Sequence, residues 1–196
     1  LSARLFAALD LPAGVRDRLA EFGRVAAAGD PVLRPVGPDD LHVTLAFLGH
    51  RPLDELEPAA EAVRACAPAT GPPLALGAPL WLSPRRPHVL TVALEDPAGE
   101  LEALHGRLVA ALRDAVGFEP ERRGFLPHVT VARVRRGAAP RSADLPPAPG
   151  AAFAGEALTL YRSYLGGRPV RYEVVARAGL HPAAARDSAH PRDEPA

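Results

Sequence analysis

The amino-acid sequence predicts an α+β fold built as two related halves, and three observations carry that expectation. Short apolar runs with strand-like alternation take turns with segments whose apolar residues recur every three or four positions. Two pairs of strand-like runs are joined by turn-forming stretches, which points to antiparallel hairpins. The triplet His-Val-Thr occurs twice, at residues 42–44 and again 86 residues later at 128–130, each time after a helical segment and a turn-rich approach. With 196 residues, 47% of them hydrophobic, the chain is long enough to bury a core.

The first element is a strand over 4–11, "RLFAALDL", ended by Pro12. Val15, Leu19, Phe22 and Val25 or Ala26 then follow helical spacing, with Pro12 suited to the helix start. "PVLRPVGPDD" reads as a turn-rich connection into a strand that begins "LHVTLAFLG". Leu53, Leu56, Ala60, Val63 and Ala67 mark a second helix, with Pro58 near its beginning as a candidate kink. "LALGAPLWLS" and "HVLTVALE" form a hairpin across "PRRP", and Trp81 is expected in the core. Leu101, Leu104, Leu108 and Leu112 give the clearest amphipathic helix, closed by Gly117. "PHVTVARV" is the next strand, and a connection over 137–152 leads to two antiparallel strands, "EALTLYRSYL" and "VRYEVVARAGL", across "GGRP". Residues 1–180 are therefore read as one two-lobed domain, and 181–196, polar and without period, as a disordered tail.

Composition narrows the function. The chain has no Lys, Met, Ile, Asn or Gln, and its 23 arginines balance 23 acidic residues, so no global positive field draws it onto long nucleic acid. A nucleic-acid substrate has to be met locally. One cysteine, Cys66, excludes an internal disulfide and reads as an inert buried thiol on a helix. No apolar run approaches the roughly 20 residues needed to span a bilayer, and the first residues lack the order of a signal peptide. A cytoplasmic protein, with no membrane association, is the expectation.

A single histidine in a strand, next to a threonine on the same face, is ordinarily a core histidine with a hydrogen-bonded neighbour. The second "HVT" changes that reading, because related positions in two lobes meet in the cleft between them. Hydrolysis of a phosphodiester needs a base on the water side of phosphorus and an acid on the leaving oxygen, in line. Two imidazoles supply both near neutral pH. A hydroxyl two residues on, on the same strand face, can donate to the non-bridging oxygens.

"RLFAALDLP", "LHVTLAFLG", "PHVTVAR", "LTLYRSYL" and "VRYEVV", in that order from about residue 4 to 178, resemble the two-histidine phosphoesterases. Within them the chain is most similar to the RNA 2′,3′-cyclic phosphodiesterases, historically called 2′-5′ RNA ligases. The resemblance implies two pseudo-symmetric lobes, each a small antiparallel sheet backed by helices, around a central groove. It implies metal-independent hydrolysis of a terminal 2′,3′-cyclic phosphate to a 2′-phosphate, no cofactor, RNA ends such as tRNA fragments as partners, and 2′-5′ ligation as a further activity. It also implies His42 as the acid on the 3′ oxygen, His128 as the base on water, and Thr44 and Thr130 on the phosphoryl oxygens. Arg133 and Phe47, each five residues after its histidine, match positions that could sandwich a terminal base by stacking. Strict alternation turns both away from the histidines unless the strands bulge.

Other residues rank lower: Arg123 before the second motif, Tyr172 on the closing strand, and Arg85 and Arg86 in "PRRP". His50 stands where the family often carries an acidic residue. His50 and His88 raise a metal site with the motif histidines, but no paired carboxylates or Cys/His cluster supports one. No GxxxxGK[ST] loop is present. A monomer is expected. An esterase for a small cyclic nucleotide, or a non-catalytic RNA or nucleotide binder, remains as an alternative.

Overall fold

The computed structural model describes residues 1–83, 86–121, 124–140, 145–164 and 171–182. The strands are β1 (Ser2–Asp10), β2 (Leu33–Pro35), β3 (His42–Pro52), β4 (Pro73–Leu82), β5 (Val89–Glu95), β6 (His128–Val134), β7 (Ala152–Ala154), β8 (Ala157–Tyr164) and β9 (Arg171–Gly179). Three helices interleave with them: α1 (Ala13–Gly29), α2 (Leu56–Cys66) and α3 (Glu100–Val116).

The strands form one curled sheet in the order β7-β4-β5-β6-β3-β1-β8-β9, with β2 pairing on β6 and every strand pair antiparallel. That order is the same read from either end once β1 is matched with β5, β3 with β6, β8 with β4 and β9 with β7. β3 and β6 pair through Val43 opposite Val129, the central residues of the two "HVT" triplets. The pseudo-twofold axis therefore runs between the motifs.

The helices tie the halves together. α1 follows β1 of one half but packs against β6 of the other, and α3 follows β5 but packs against β3. Leu19 on α1 and Leu101, Leu104, Leu108 and Leu112 on α3 are buried almost completely, together with Leu5, Leu9, Val43, Leu90, Leu158 and Leu160 from the strands. Burying each such side chain is worth about 1.5–3 kcal/mol. Gly117, left-handed at φ 60°, ends α3 as the sequence predicts, its N–H donating to the Arg113 carbonyl while the Phe118 N–H donates to that of Leu112. Arg51 near the end of β3 donates from Nη2 to the Val116 carbonyl and from Nε to Glu55, which fixes β3 to the end of α3.

Some expectations change. "PVLRPVGPDD" contains β2 and a short 3₁₀ turn over Pro38–Asp40, and β7 begins at Ala152, the last residue of the stretch read as a connection. Pro58 is the third residue of α2, within the first turn, where its missing N–H breaks no intrahelical bond. Trp81 is half-buried against the core rather than inside it. Cys66 is also half-buried, its Sγ 3.7 Å from the Arg107 carbonyl on α3, and burial pushes its thiol up. The "GGRP" turn, Arg85, Arg123 and residues 183–196 lie outside the described residues.

Two strand irregularities position the site. The pairing of β5 with β6 passes from Leu90↔Ala132 to Thr91↔Thr130 and leaves Val131 unopposed, so Val131 and Ala132 are both buried in succession. The pairing of β1 with β3 passes from Ala7↔Ala46 to Ala8↔Thr44 and leaves Leu45 unopposed, so Leu45 and Ala46 are both buried. Each bulge turns the residue after it, Arg133 or Phe47, to the face of its histidine. The Val131 carbonyl accepts from the Val36 N–H at 2.9 Å. A Cβ at Gly23 on α1 would lie 2.6 Å from that same oxygen. Gly23→Ala should therefore cost about 1–3 kcal/mol by urea unfolding, because backbone must shift. Stability within a few tenths of wild type would show that the helix can move off the bulge freely.

Candidate active site

The strand register builds the site. On β3, His42 lies opposite Asp10, Thr44 opposite Ala8 and Phe47 opposite Phe6. On β6, His128 lies opposite Ala93, Thr130 opposite Thr91 and Arg133 opposite Val89. Opposed residues share a sheet face, so the two motifs present histidine, threonine and the post-bulge residue to one side. Continuing the Val43↔Val129 register across the axis sets His42 opposite Thr130 and Thr44 opposite His128.

His42, Thr44, His128, Thr130 and Arg133 line one cavity of about 340 Å³, closed by Arg34, Gly37, Asp40 and Tyr172 among others. An adjoining cavity of about 350 Å³ continues from His42, Thr44 and Arg133 to Phe47, Arg4 and Phe6. All six predicted site residues thus reach one continuous depression. Phe47 is 43% exposed, and the Arg4 guanidinium lies 4.4 Å from its ring centroid, so one face of the ring already carries a cation. A larger open concavity of about 1010 Å³ beside Arg18 and Phe153 contains neither histidine.

Each histidine is oriented by the carbonyl two residues before it. The His128 Nδ1 is 2.7 Å from the Leu126 carbonyl, which as acceptor assigns the proton to Nδ1 and turns Nε2 to the cavity. His42 makes the equivalent hydrogen bond with the backbone of Asp40. Their surroundings differ. The His42 ring stacks on Phe6 at 4.9 Å and meets the edge of Tyr172 at 5.6 Å, with Tyr161 stacked behind Phe6 at 5.2 Å. Burial pushes His42 down from 6.5 to about 4; the Asp40 backbone and Asp10 work against that, Arg133 and His128 with it.

The sign follows from protonation. Between about pH 6.5 and 4 the unfolded chain protonates His42 and the folded one does not, so stability is lost as pH falls through that window. One edge of the ring is reached from the cavity, which moderates the burial. The expected loss assigned to His42 is about 2 kcal/mol. Urea unfolding at pH 7 and pH 4.5 should show wild type losing that much more than His42→Gln; parallel losses would refute it.

Sequence reasoning missed Asp10, Phe6, Arg4 and Tyr161. Asp10 Oδ1 accepts from the Tyr161 hydroxyl at 2.8 Å, and Oδ2 from Thr159 Oγ1 at 2.9 Å and Arg177 Nε at 3.1 Å. Burial, then Asp10, push the Tyr161 hydroxyl above the usual tyrosine range, so it stays protonated as a donor. A carboxylate ending an otherwise apolar strand was the available signal. Tyr172 lies on the cavity wall, while neither His50 nor His88 lines the histidine cavity. Among the described residues no group of three or more His, Cys, Asp or Glu is arranged to hold a metal ion. No helix among them is long and apolar enough to cross a membrane.

The 2′-5′ RNA ligase superfamily model matches residues 15–166, which contain both motifs. The chain belongs to this superfamily. An RNA 2′,3′-cyclic phosphodiesterase of Escherichia coli is 32% identical over 180 residues, 90% of this chain and 96% of that protein. One of Geobacillus stearothermophilus is 31% identical over 176 residues, 87% of this chain; the chain spans 55% of its length. A crystal structure from Thermus thermophilus superposes with a TM-score of 0.72 at 29% identity, covering 90% of this chain and 97% of that one. Escherichia coli LigT complexed with 3′-AMP gives 0.71 at 27%, covering 92% and 99%. This member of the superfamily lines one cavity with both of its His-x-Thr motifs, and its post-bulge pair is one aromatic and one arginine.

Proposed function

We propose that the chain is an RNA 2′,3′-cyclic phosphodiesterase, acting through residues 1–180 as one two-lobed catalytic unit. The observation that carries the reading is that both histidines and both threonines line a single cavity across a pseudo-twofold axis. That arrangement suits in-line displacement at phosphorus, with one imidazole on each side. The family membership and the names of the relatives support the same reading.

In this mechanism His128 takes a proton from water as the water oxygen bonds to phosphorus. The phosphorus to O3′ bond breaks, and His42 gives its proton to O3′, leaving a 2′-phosphate and a free 3′-hydroxyl. The bound phosphodiester anion favours the protonated form of His42 that burial alone opposes. Thr44 and Thr130 donate to the non-bridging oxygens as charge develops. Arg133 and Phe47 flank the terminal base, a contact tolerant of base identity. No metal or cofactor takes part. The substrates are RNA ends, tRNA fragments among them, handled by a cytoplasmic monomer, and 2′-5′ joining is the same chemistry with a 5′-hydroxyl in place of water.

The test is to incubate the protein, in chelator, with a short RNA ending in a 2′,3′-cyclic phosphate beside the matching mononucleotide, and to identify the product. Turnover of the RNA to a 2′-phosphate is expected. A 3′-phosphate product, or activity only after a divalent ion is added, overturns the mechanism. Preference for the mononucleotide makes it a small-nucleotide esterase, and binding without turnover a non-catalytic binder.

A further inference from the structure

The two motifs are identical in sequence and related by a pseudo-twofold, yet the reaction needs one histidine to donate a proton and the other to accept one. Some feature outside the motifs has to break the symmetry. The register supplies it: the residue directly opposite His42 is Asp10, and the residue directly opposite His128 is Ala93. We infer that Asp10 is a positioning residue that gives His42 the proton donor's part, and that Ala93, which offers no charge, leaves the base's part to His128. This rests on the phosphodiesterase reading above.

Asp10 is held in place by a cluster of donors. Its side chain is 14% exposed, and Tyr161, Thr159 and Arg177 converge on its two oxygens. Three donors from β8 and β9 hold it in one orientation, on the wall of a recess that it shares with His42. Burial by itself opposes the protonated form that His42 needs as donor, and Asp10 is one of the groups that work against burial.

The other charged groups sort by side. Arg133 and His128 on β6 face His42 from the cavity and disfavour its protonation, and Arg34 on β2 and Arg4 on β1 line the two cavities that His42 borders. Asp39, Glu156, Arg16 and Arg177 share with Asp10 and His42 a small polar recess of about 210 Å³ on the other side. Its two arginines and two further carboxylates offset one another in sign. Asp40 presents its backbone to the ring. Tyr161 and Tyr172 are both pushed up by burial and stay neutral. Asp10 is the carboxylate that stands opposite a motif histidine in the strand register.

The test compares wild type, Asp10→Asn and Arg177→Gln by histidine-selective NMR titration and by kcat against pH on the cyclic-phosphate RNA. Asp10→Asn should lower the His42 midpoint by about one pH unit, a tenfold change in protonated fraction, and leave His128 unmoved. The alkaline limb of kcat should move down with it, with kcat falling about tenfold at pH 8 and KM within about twofold. Arg177→Gln removes the cation that offsets Asp10, at a half-exposed position, and should move His42 and the alkaline limb up, with urea midpoints checking that both variants fold. A purely structural role predicts that both variants lose activity alike with the His42 midpoint fixed, and that result overturns the inference. So does a shift at His128 in place of His42. If wild type fails to hydrolyse the RNA, the phosphodiesterase reading falls, while the NMR titration still decides whether Asp10 governs His42.

Discussion

His42→Ala and His128→Ala are each expected to lose about 10²–10⁴ in kcat on a cyclic-phosphate RNA, with KM changed far less. The reason is the shape of the reaction. Without the base, water attacks phosphorus undeprotonated; without the acid, O3′ departs as an alkoxide. The double variant should be little worse than either single one, because two groups that serve one concerted transfer do not contribute additively. His42 also fills the space beside Phe6 and Tyr172, so His42→Gln is the companion that keeps volume and hydrogen-bonding capacity while removing the titratable group. Circular dichroism and urea midpoints separate folding from chemistry. Near wild-type turnover in either single variant would falsify the two-histidine mechanism.

How far the sequence reached depends on which interactions decide each feature. α3 was legible because Leu101, Leu104, Leu108 and Leu112 repeat on one stripe and Gly117 ends the helix by its own backbone conformation. Both are local. β2 and β7 were not legible: three residues carry no period, and each is a strand only because β6 or β4 offers it a partner. The same distinction runs through the site. His42, Thr44, His128 and Thr130 share a face by alternation alone, and the repeated triplet made them stand out. Arg133 and Phe47 depend on the bulges at Val131 and Leu45, which the pairing registers set. Gly23 belongs to that account, because its lack of a Cβ lets α1 reach the Val131 carbonyl from more than a hundred positions away in sequence. Asp10 was hidden most completely. In sequence it is one polar residue near the end of an apolar run; only the β1 to β3 register sets it opposite His42.

Thr44→Val and Thr130→Val should each lower kcat by about 10²–10³, the usual consequence of removing one donor from a developing oxyanion. Valine matches threonine in shape and strand preference, so the fold is retained and the missing hydroxyl is what the rate reports. Thr44→Ser and Thr130→Ser keep the donor and should recover most of the activity; serine variants as slow as the valine ones would mean that the methyl group, not the hydroxyl, matters. The pseudo-twofold makes a sharper demand. In the proposed mechanism the two threonines donate to equivalent non-bridging oxygens, so their valine variants should be slowed by similar factors with the pH profile unmoved. In the same mechanism the histidines have opposite proton assignments, so their variants should abolish opposite limbs of that profile. A site whose geometry is symmetric and whose proton chemistry is not must show both patterns at once, and finding one threonine dispensable would break the symmetry at the phosphoryl group itself.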